Sequence, residues 1–277
     1  MPIGAAILRP FTGNENLRLP IYQVDAFTDS LFGGNPAAVC PLEAWLPDAT
    51  MQAIAAENNL AETAFFVREG SDYALRWFTP TVEVDLCGHA TLASGHIVFS
   101  FLEPERESVS FRTLKAGTLT VSRHADMLVM DFPARPAIAA EAPPGLFAAL
   151  GGKPREVLRA RDHLIVYGSA AEVAALNPDF AALAKTDCWA AIATAPGDNG
   201  VDFVSRFFAP AQGVPEDPVT GSSHCTLVPY WAKRLGKTEL NARQLSRRGG
   251  SLTCALKGDR VSIAGRAVLY LEGRISV

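Results

Sequence analysis

The sequence predicts an α+β protein of two pseudo-symmetric halves, because one motif occurs twice and short strand patterns surround each copy. Residues 76–80, Arg-Trp-Phe-Thr-Pro, return at 206–210 as Arg-Phe-Phe-Ala-Pro. Each copy is followed by an acidic residue, Asp85 or Asp217, then by a glycine and a run of small and apolar residues that predicts a helix. The repeat predicts two halves, each with a curved sheet or barrel around a central apolar helix, and one cleft between them.

Composition and charge describe a globular chain. Its 277 residues are 48% hydrophobic, and the formal net charge of −4 without a basic block argues against nucleic acid as a partner. No apolar run is long enough to predict a membrane span. Five scattered cysteines without a Cys-x-x-Cys pair are typical of a reduced, cytoplasmic protein. Residues 1–19 lack the pattern of a signal peptide and are expected to form a loose extension.

Several elements of the first half follow from local patterns. Alternating apolar and polar residues predict a strand at 20–27, and Gly-Gly-Asn-Pro at 33–36 predicts a turn. A helix is expected at 48–58 with Asp48 as its N-cap. Residues 89–101 are apolar on nearly every side, so the first central helix is expected there, buried within its half. Further strands are predicted at 37–40, 63–68, 73–78, 108–112, 118–122 and 127–132.

The second half repeats this plan. A short helix is predicted at 143–150, one or two helices at 171–183, and the second central helix at 222–235, closed by Gly236. Strands are predicted at 164–167, 189–194, 201–208, 251–256, 260–265 and 267–272. A stretch rich in proline and alanine is expected to divide an N-terminal half, 1–133, from a C-terminal half, 134–277. The last strand of the C-terminal half could return to pair with the first half.

Two glycines occupy equivalent points of the repeat. Gly88 and Gly221 each precede a predicted central helix. Glycine lets a ligand approach the backbone closely, and the free N–H groups of a helix start attract anions. Two such starts at one cleft would hold a small carboxylate. The alternative is that each glycine only makes a tight turn, but the duplication favours a functional interpretation.

Four side chains near these glycines are candidates for substrate contact and proton transfer. Glu62 lies among apolar residues, where a charged carboxylate is costly to bury and is suited to proton transfer. His89, at the positive end of a predicted helix that disfavours its charged form, could stay neutral and serve as a hydrogen-bond donor, an acceptor or a proton relay. Asp217 and Ser222 could orient a substrate or share a proton. The alternatives are an exposed glutamate, a half-buried histidine and an aspartate that caps a helix.

The residues that precede the two glycines differ. Cys87 precedes Gly88, whereas Thr220 precedes Gly221, so no thiol pair spans the two halves. Such a pair would have predicted a two-base racemase. A lone cysteine before an apolar helix is more often a packing residue than a nucleophile.

With these residues in view, the chain resembles the PhzF family, the phenazine biosynthesis-like isomerases. The resemblance runs from about residue 21 to the C-terminus. The matching stretches are Val-Asp-Ala-Phe at 24–27, Gly-Asn-Pro-Ala-Ala-Val at 34–39, Asn-Leu-Ala-Glu-Thr at 59–63, Arg-Trp-Phe-Thr-Pro at 76–80, Cys-Gly-His-Ala-Thr-Leu-Ala at 87–93 and Glu-Asp-Pro-Val-Thr-Gly-Ser at 216–222.

The resemblance implies a diaminopimelate epimerase-like fold, a homodimer, and no metal or organic cofactor. It implies that Glu62 is the general acid/base and that His89, Asp217 and Ser222 belong to the active site. The family's type reaction isomerises trans-2,3-dihydro-3-hydroxyanthranilate by moving a proton between carbons. Ala61 stands where a serine is common in the family, which removes a possible substrate hydrogen bond and leaves the substrate open.

Three functions are compatible with these residues. The favoured one is a cofactor-free isomerase that moves a proton within a small unsaturated carboxylic acid. The others are an amino-acid epimerase or racemase on the same fold, and a non-catalytic binding or assembly protein that retains the fold. Convergence of Glu62, His89 and Asp217 on one pocket would favour an enzyme over a binding protein.

Overall fold

The computed structural model of the protein describes residues 17–277. The loose extension predicted for residues 1–19 falls mostly outside this range. Its last two residues, Arg18 and Leu19, belong to the first strand instead, and Leu19 is buried. No helix in the described range is long and apolar enough to cross a membrane.

Residues 17–139 contain nine strands and two α-helices. The ninth strand, Ile138–Ala139, lies beyond the predicted boundary at residue 133 but is counted with the N-terminal half, because it occupies the place that the last strand of the chain has in the repeat. The second helix continues for one π-helical turn, Val98–Leu102. In chain order the elements are β1 (Arg18–Ala26), β2 (Asn35–Leu42), α1 (Asp48–Asn58), β3 (Glu62–Glu69), β4 (Asp72–Phe78), β5 (Glu83–Val84), α2 (Gly88–Ile97), β6 (Ser108–Arg112), β7 (Thr118–His124), β8 (Met127–Pro133) and β9 (Ile138–Ala139).

The C-terminal half repeats the strand order, with two short helices in the place of α1 and an additional short helix, Leu146–Leu150, before its first strand. A single 3₁₀ turn, Pro210–Gln212, follows its fourth strand. The elements are α3 (Leu146–Leu150), β10 (Glu156–Arg159), β11 (His163–Val166), α4 (Ala170–Ala174), α5 (Phe180–Leu183), β12 (Ala191–Pro196), β13 (Phe203–Ala209), β14 (Val214–Asp217), α6 (Gly221–Leu235), β15 (Glu239–Gln244), β16 (Gly250–Lys257), β17 (Arg260–Gly265) and β18 (Ala267–Ser276).

The strand pairing is the same in both halves. In the first half, β2 runs parallel to β3 and β4 parallel to β6; in the second, β11 runs parallel to β12 and β13 parallel to β15. The halves join where β8 pairs antiparallel with β17, its counterpart, and Met130 lies opposite Ile263. All described strands thus form one connected sheet. The predicted α+β class and the two similar halves are confirmed, but the sheet does not close into barrels.

Each half ends in a strand that pairs with the other half. β18 pairs antiparallel with β1 along its length, so that Val24 lies opposite Leu269. The short β9 pairs with β10 in the same way, with Leu158 opposite Ala139. We refer to this arrangement as the strand exchange.

The two central helices form as the sequence predicts. In α2, buried residues lie on every side, and Leu92 and Ile97 are completely buried, each worth about 1.5–3 kcal/mol of transfer free energy. Gly95 allows close approach to β7, since a Cβ there would lie 2.7 Å from Val121. The helix α6 is amphipathic, ends in the basic residues Lys233 and Arg234, and closes at Gly236 in the left-handed region.

Two local predictions were wrong. Asp48 does not cap α1: the N-cap position is Pro47, and the Asp48 carboxylate instead accepts a hydrogen bond from Arg76 at 2.9 Å. The predicted turn at 33–36 ends at Gly34, whose φ of +60° suits glycine. Asn35 is already the first residue of β2 and pairs with Ala26 on β1.

Candidate active site

The starts of the two central helices lie side by side. A Cβ added to Gly88 would lie 3.7 Å from the Cα of Gly221, and one added to Gly221 would lie 3.8 Å from the Cα of Gly88. These are ordinary contact distances for a single methyl group, but a larger side chain at either position would meet the other helix start. Two sets of N–H groups that lack intrahelical acceptors are therefore brought to one place.

The repeated motif positions these helix starts through its arginine. The Arg76 guanidinium donates two hydrogen bonds to Glu83, both at 2.7 Å, and thereby ties β4 to β5. Arg206 donates to Glu216 at 2.7 and 2.9 Å and ties β13 to β14 in the same way. β5 and β14 lead directly into α2 and α6. Each pair of arginine–glutamate hydrogen bonds therefore fixes the segment that precedes a central helix. The sequence signal for this role was the identical arginine in both copies.

Glu62 and His89 form a close pair at the start of α2. Glu62 is the first residue of β3, and its Oε2 lies 3.1 Å from His89 Nε2. Only 17% of the Glu62 side chain and 6% of the His89 side chain is exposed. A carboxylate and an imidazole at this distance can exchange a proton directly.

The charge of His89 differs from the sequence-based expectation. Burial favours the neutral imidazole, but Cys87 and Glu62 outweigh burial and raise the pKa of His89 well above its ordinary value. Burial, together with the charge of Glu62, raises the pKa of the Cys87 thiol to about 11, so this thiol stays neutral near pH 7. With the thiol neutral, Glu62 is the neighbouring group whose negative charge favours the imidazolium.

Asn35 joins the two halves at the site. Its Nδ2 donates to Asp217 Oδ1 at 2.8 Å and to the carbonyl oxygen of Val219 at 2.9 Å. The same nitrogen lies 3.1 Å from His89 Nδ1, and Glu62 faces the opposite ring nitrogen. Glu62, His89, Asn35 and Asp217 thus lie in a row of neighbouring polar side chains, which we call the polar relay; a hydrogen bond from Asn35 to His89 Nδ1 would require that nitrogen to be unprotonated. Sequence reasoning placed Asn35 in a turn and missed this contact.

Asp217 lies at the C-terminal end of the polar relay. Burial raises the pKa of its carboxyl to about 6, with the charge of Glu62 acting in the same direction, while His89 and the hydrogen bonds from Thr220 and Asn35 oppose the shift. Gln244 fixes the backbone here: its Nε2 donates to the carbonyl oxygen of Asp217 at 2.8 Å, and its Oε1 accepts from the Thr220 N–H at 2.9 Å.

The structure corrects the alignment of the two repeats. Trp77 pairs with Val84, and the equivalent Phe207 pairs with Asp217, so Asp217 corresponds to Val84 and not to Asp85. The Asp85 side chain is 63% exposed and pairs with Lys115 at 2.9 Å. The acidic residue of the polar relay therefore has no acidic counterpart in the first half.

Ser222 is the counterpart of His89, one residue after the equivalent glycine. It is half-buried in the first turn of α6, beside the fully enclosed Ser223. The structure thus brings Gly88, Gly221, His89 and Ser222 to the same pair of helix starts. Their roles in binding or catalysis stay predictions.

Cys87 is part of the site's surroundings, and its Sγ lies 3.4 Å from His89 Nδ1. Donor atoms of Glu62, Cys87 and His89 all lie within 4.8 Å of one another, a spacing that a metal ion could bridge. However, the thiol lies closer to Nδ1 and the carboxylate closer to Nε2, and a thiol with a pKa near 11 ionises poorly. That the protein uses no metal stays a prediction.

The fold and the paired helix starts define a protein of the diaminopimelate epimerase-like class. A hydroxyproline epimerase from Agrobacterium vitis shares the fold, with a TM-score of 0.56 over 94% of this chain and 93% of that one at 11% identity. A PhzF family protein from Enterococcus faecalis is far closer, with a TM-score of 0.91 and 48% identity over 94% of this chain and all of that one.

Sequence comparison narrows the class to a family. The family model of phenazine biosynthesis-like proteins, PhzC-PhzF, matches residues 24–273. An uncharacterized isomerase from Pseudomonas aeruginosa is 52% identical over 259 residues, which cover 94% of this chain and 99% of that protein. The chain therefore belongs to the PhzF family of phenazine biosynthesis-like isomerases, which confirms the resemblance inferred from its motifs.

Proposed function

We propose that the protein is a cofactor-free isomerase that moves a proton between two carbons of a small unsaturated carboxylic acid, with Glu62 as the general acid/base. The observation that carries this proposal is the polar relay, which ends in Glu62 beside two adjoining helix starts. Family membership supports the isomerase class, and the chemistry is inferred from the residues.

The helix starts supply the proposed binding site for the substrate carboxylate. The N–H groups of the first turns of α2 and α6 can donate to its oxygens, and both helix dipoles favour a negative charge there. Ser222 adds a hydroxyl in the first turn of α6. Because this site fixes one end of the substrate, the carbons that exchange the proton are held at a set distance from it.

Glu62 then carries the proton. Its carboxylate removes a proton from one carbon, and the electron pair of the broken C–H bond forms a new double bond as the existing one shifts. The protonated Glu62 delivers the same proton to the carbon at the other end of the shifted system. Bonds broken and formed balance without an electron acceptor, so the reaction needs no redox cofactor. The His89 imidazolium lies 3.1 Å from the Glu62 carboxylate, so its charge is opposite to that of the proposed base.

Asp217 is proposed to adjust the charge of the site. A pKa of about 6 leaves its carboxyl able to gain or lose a proton near neutrality. Its charge acts on that of His89, so that the two groups together can accommodate the negative charge that develops on the substrate.

The two alternatives receive less support. A two-thiol epimerase would need a thiol at each helix start, but Thr220 stands opposite Cys87, whose own pKa is raised to about 11. A non-catalytic role gives no reason to hold a glutamate and a histidine 3.1 Å apart, both largely enclosed. The homodimer, the carboxylate substrate and the cytoplasmic location stay predictions.

Proton NMR in D₂O offers a test that can begin with a panel of acids in place of one identified substrate. Small aromatic, dihydroaromatic and other unsaturated carboxylates are incubated with the enzyme, and each is followed for double-bond migration and for deuterium at carbon. The proposal expects at least one acid to isomerise, with the signal lost in Glu62→Gln and retained in Asp85→Asn, a matched amide substitution outside the site. Turnover by folded Glu62→Gln at the wild-type rate would overturn the assignment of Glu62.

A further inference from the structure

We propose that Arg248 is a positioning residue of the active site, which acts by holding Asn35 in the polar relay. This inference rests on the proposed function for its consequence in catalysis. The loop between β15 and β16, residues 245–249, belongs to the C-terminal half, yet its arginine contacts the backbone just before Asn35.

The contacts of Arg248 are specific to a guanidinium group. Its Nε donates to the carbonyl oxygen of Gly34 at 2.9 Å, and one terminal nitrogen donates to the carbonyl oxygen of Gly33 at 2.8 Å. The same nitrogen donates to Asp25 Oδ1 at 2.7 Å. A lysine has a single donor atom and cannot reproduce this fork. Three acceptors within two neighbouring segments are therefore fixed by one side chain.

Asp25, the acidic partner of Arg248, is itself held in place. Its side chain is 2% exposed and lies on β1, and its second oxygen accepts from the backbone N–H of Phe32 at 2.9 Å. A buried carboxylate that lost its arginine would be costly. The Asp25–Arg248 pair therefore fixes both ends of the turn that leads from β1 to Asn35.

The backbone of the turn that leads to Asn35 also bonds to the loop that carries Arg248. This turn contains Gly33 and Gly34, and Gly34 has a φ of +60° that most residues would not adopt. The Gly34 N–H donates to the carbonyl oxygen of Gly249, directly after Arg248, at 2.8 Å. Since Asn35 is the next residue, these contacts set where its side chain meets Asp217 and His89.

The same loop also holds the other half of the polar relay. Ser246 donates through Oγ to the carbonyl oxygen of Pro218 at 2.7 Å. Gln244, which immediately precedes the loop, binds the backbone of Asp217 and Thr220. One short segment thus positions both the donor, Asn35, and the acceptor, Asp217, of a hydrogen bond that crosses between the halves.

The test measures Asn35 directly and needs no substrate. Protein labelled with ¹⁵N-asparagine is used to follow hydrogen exchange of the Asn35 side-chain amide, which is assigned by its loss in Asn35→Ser. We expect exchange to accelerate by at least about tenfold in Arg248→Met, Arg248→Lys and Asp25→Asn. Arg260→Gln is the control, because Arg260 pairs with the exposed Asp131 at 2.7 Å, away from the turn that leads to Asn35. It should leave this amide unchanged.

Catalysis provides the second readout. On an acid that the wild type isomerises, loss of positioning should lower kcat at least about tenfold with little change in KM. If the Asn35 amide exchanges at the wild-type rate in both Asp25→Asn and Arg248→Lys, the proposal is overturned. Neither the Asp25 charge nor the guanidinium group would then be needed to hold Asn35. If Arg248→Met does not fold, these two milder variants decide the question. Absence of any substrate would count against the proposed function alone, since amide exchange is measured without one.

Discussion

Replacement of Glu62 by glutamine separates the chemistry of the site from its architecture. Glutamine keeps the shape of the side chain but cannot carry a proton between carbons. It also removes the negative charge that lies 3.1 Å from His89 Nε2. With that charge gone, burial is the dominant influence left on the imidazole, and the pKa of His89 is expected to fall.

The structure predicts a large effect on rate and a small effect on stability. Loss of a general acid/base lowers turnover by about 10²–10⁴-fold, equivalent to about 3–5 kcal/mol of transition-state stabilisation. His89 can release its proton when its partner is lost, so no isolated charge needs to stay buried. Glu62 Oε2 faces His89 without a hydrogen bond, so the free energy of unfolding is expected to fall by no more than about 1–3 kcal/mol.

The assay combines isomerisation kinetics with chemical denaturation of the same preparations. Asp85→Asn, an equivalent change at an exposed carboxylate paired with Lys115, is the control and should match the wild type in both. A Glu62→Gln enzyme that is folded and turns over within a factor of a few of the wild type would refute the reasoning. A variant that is inactive only because it is unfolded would show that the pair is structural.

Three further predictions concern the rest of the site. The raised pKa of Asp217 means that its contribution to stability is fully present below about pH 4 and is lost as the pH rises through about 6. Denaturant titrations should therefore show that, between pH 4 and pH 7, the free energy of unfolding of the wild type falls by up to about 3 kcal/mol relative to that of Asp217→Asn. EDTA and Cys87→Ala should each leave most of the activity, because no metal or thiolate takes part in the proposed chemistry; abolition by EDTA would reveal a metal requirement. Gly221→Ala should fold and bind acids, since its Cβ would meet Phe27 at 3.6 Å, an ordinary contact distance. Gly221→Val should weaken acid binding in calorimetry far more than it lowers the melting temperature; equal losses would place the anion elsewhere.

The sequence predicted the architecture because the repeat and the apolar helices are strong signals. The motif at 76–80 and 206–210 marks equivalent strands, β4 and β13, and both central helices begin next to the predicted glycines. Strands that are short or mostly polar gave no signal. In β15, for example, Leu240, Ala242 and Gln244 are buried and alternate with exposed residues. Because Gln244 is polar, its burial cannot be inferred from the sequence, and only two apolar residues are left to indicate the strand.

The polar relay was only half predictable, because it depends on contacts between distant segments. Glu62, His89 and Asp217 stood out by residue type and motif. Asn35 did not, since asparagine after two glycines is typical of a turn. Its role depends on the pairing of β2 with β1 and on Val219, 184 residues further along the chain. The alignment of Asp85 with Asp217 failed for a similar reason, because only strand register shows which residue faces the cleft.

The strand exchange has a consequence for how the chain reaches its native state. During synthesis, the N-terminal half emerges with β1 lacking the neighbour that will cover it, because β18 is the last strand of residues 17–277 to be made. The unprotected edge of β1 can then pair wrongly with another chain until β18 arrives. Contacts of such long sequence separation also slow folding. We therefore expect the final annealing of β18 onto β1 to be the step at which a chaperone protects the nascent protein, and neither half to be stable when expressed alone.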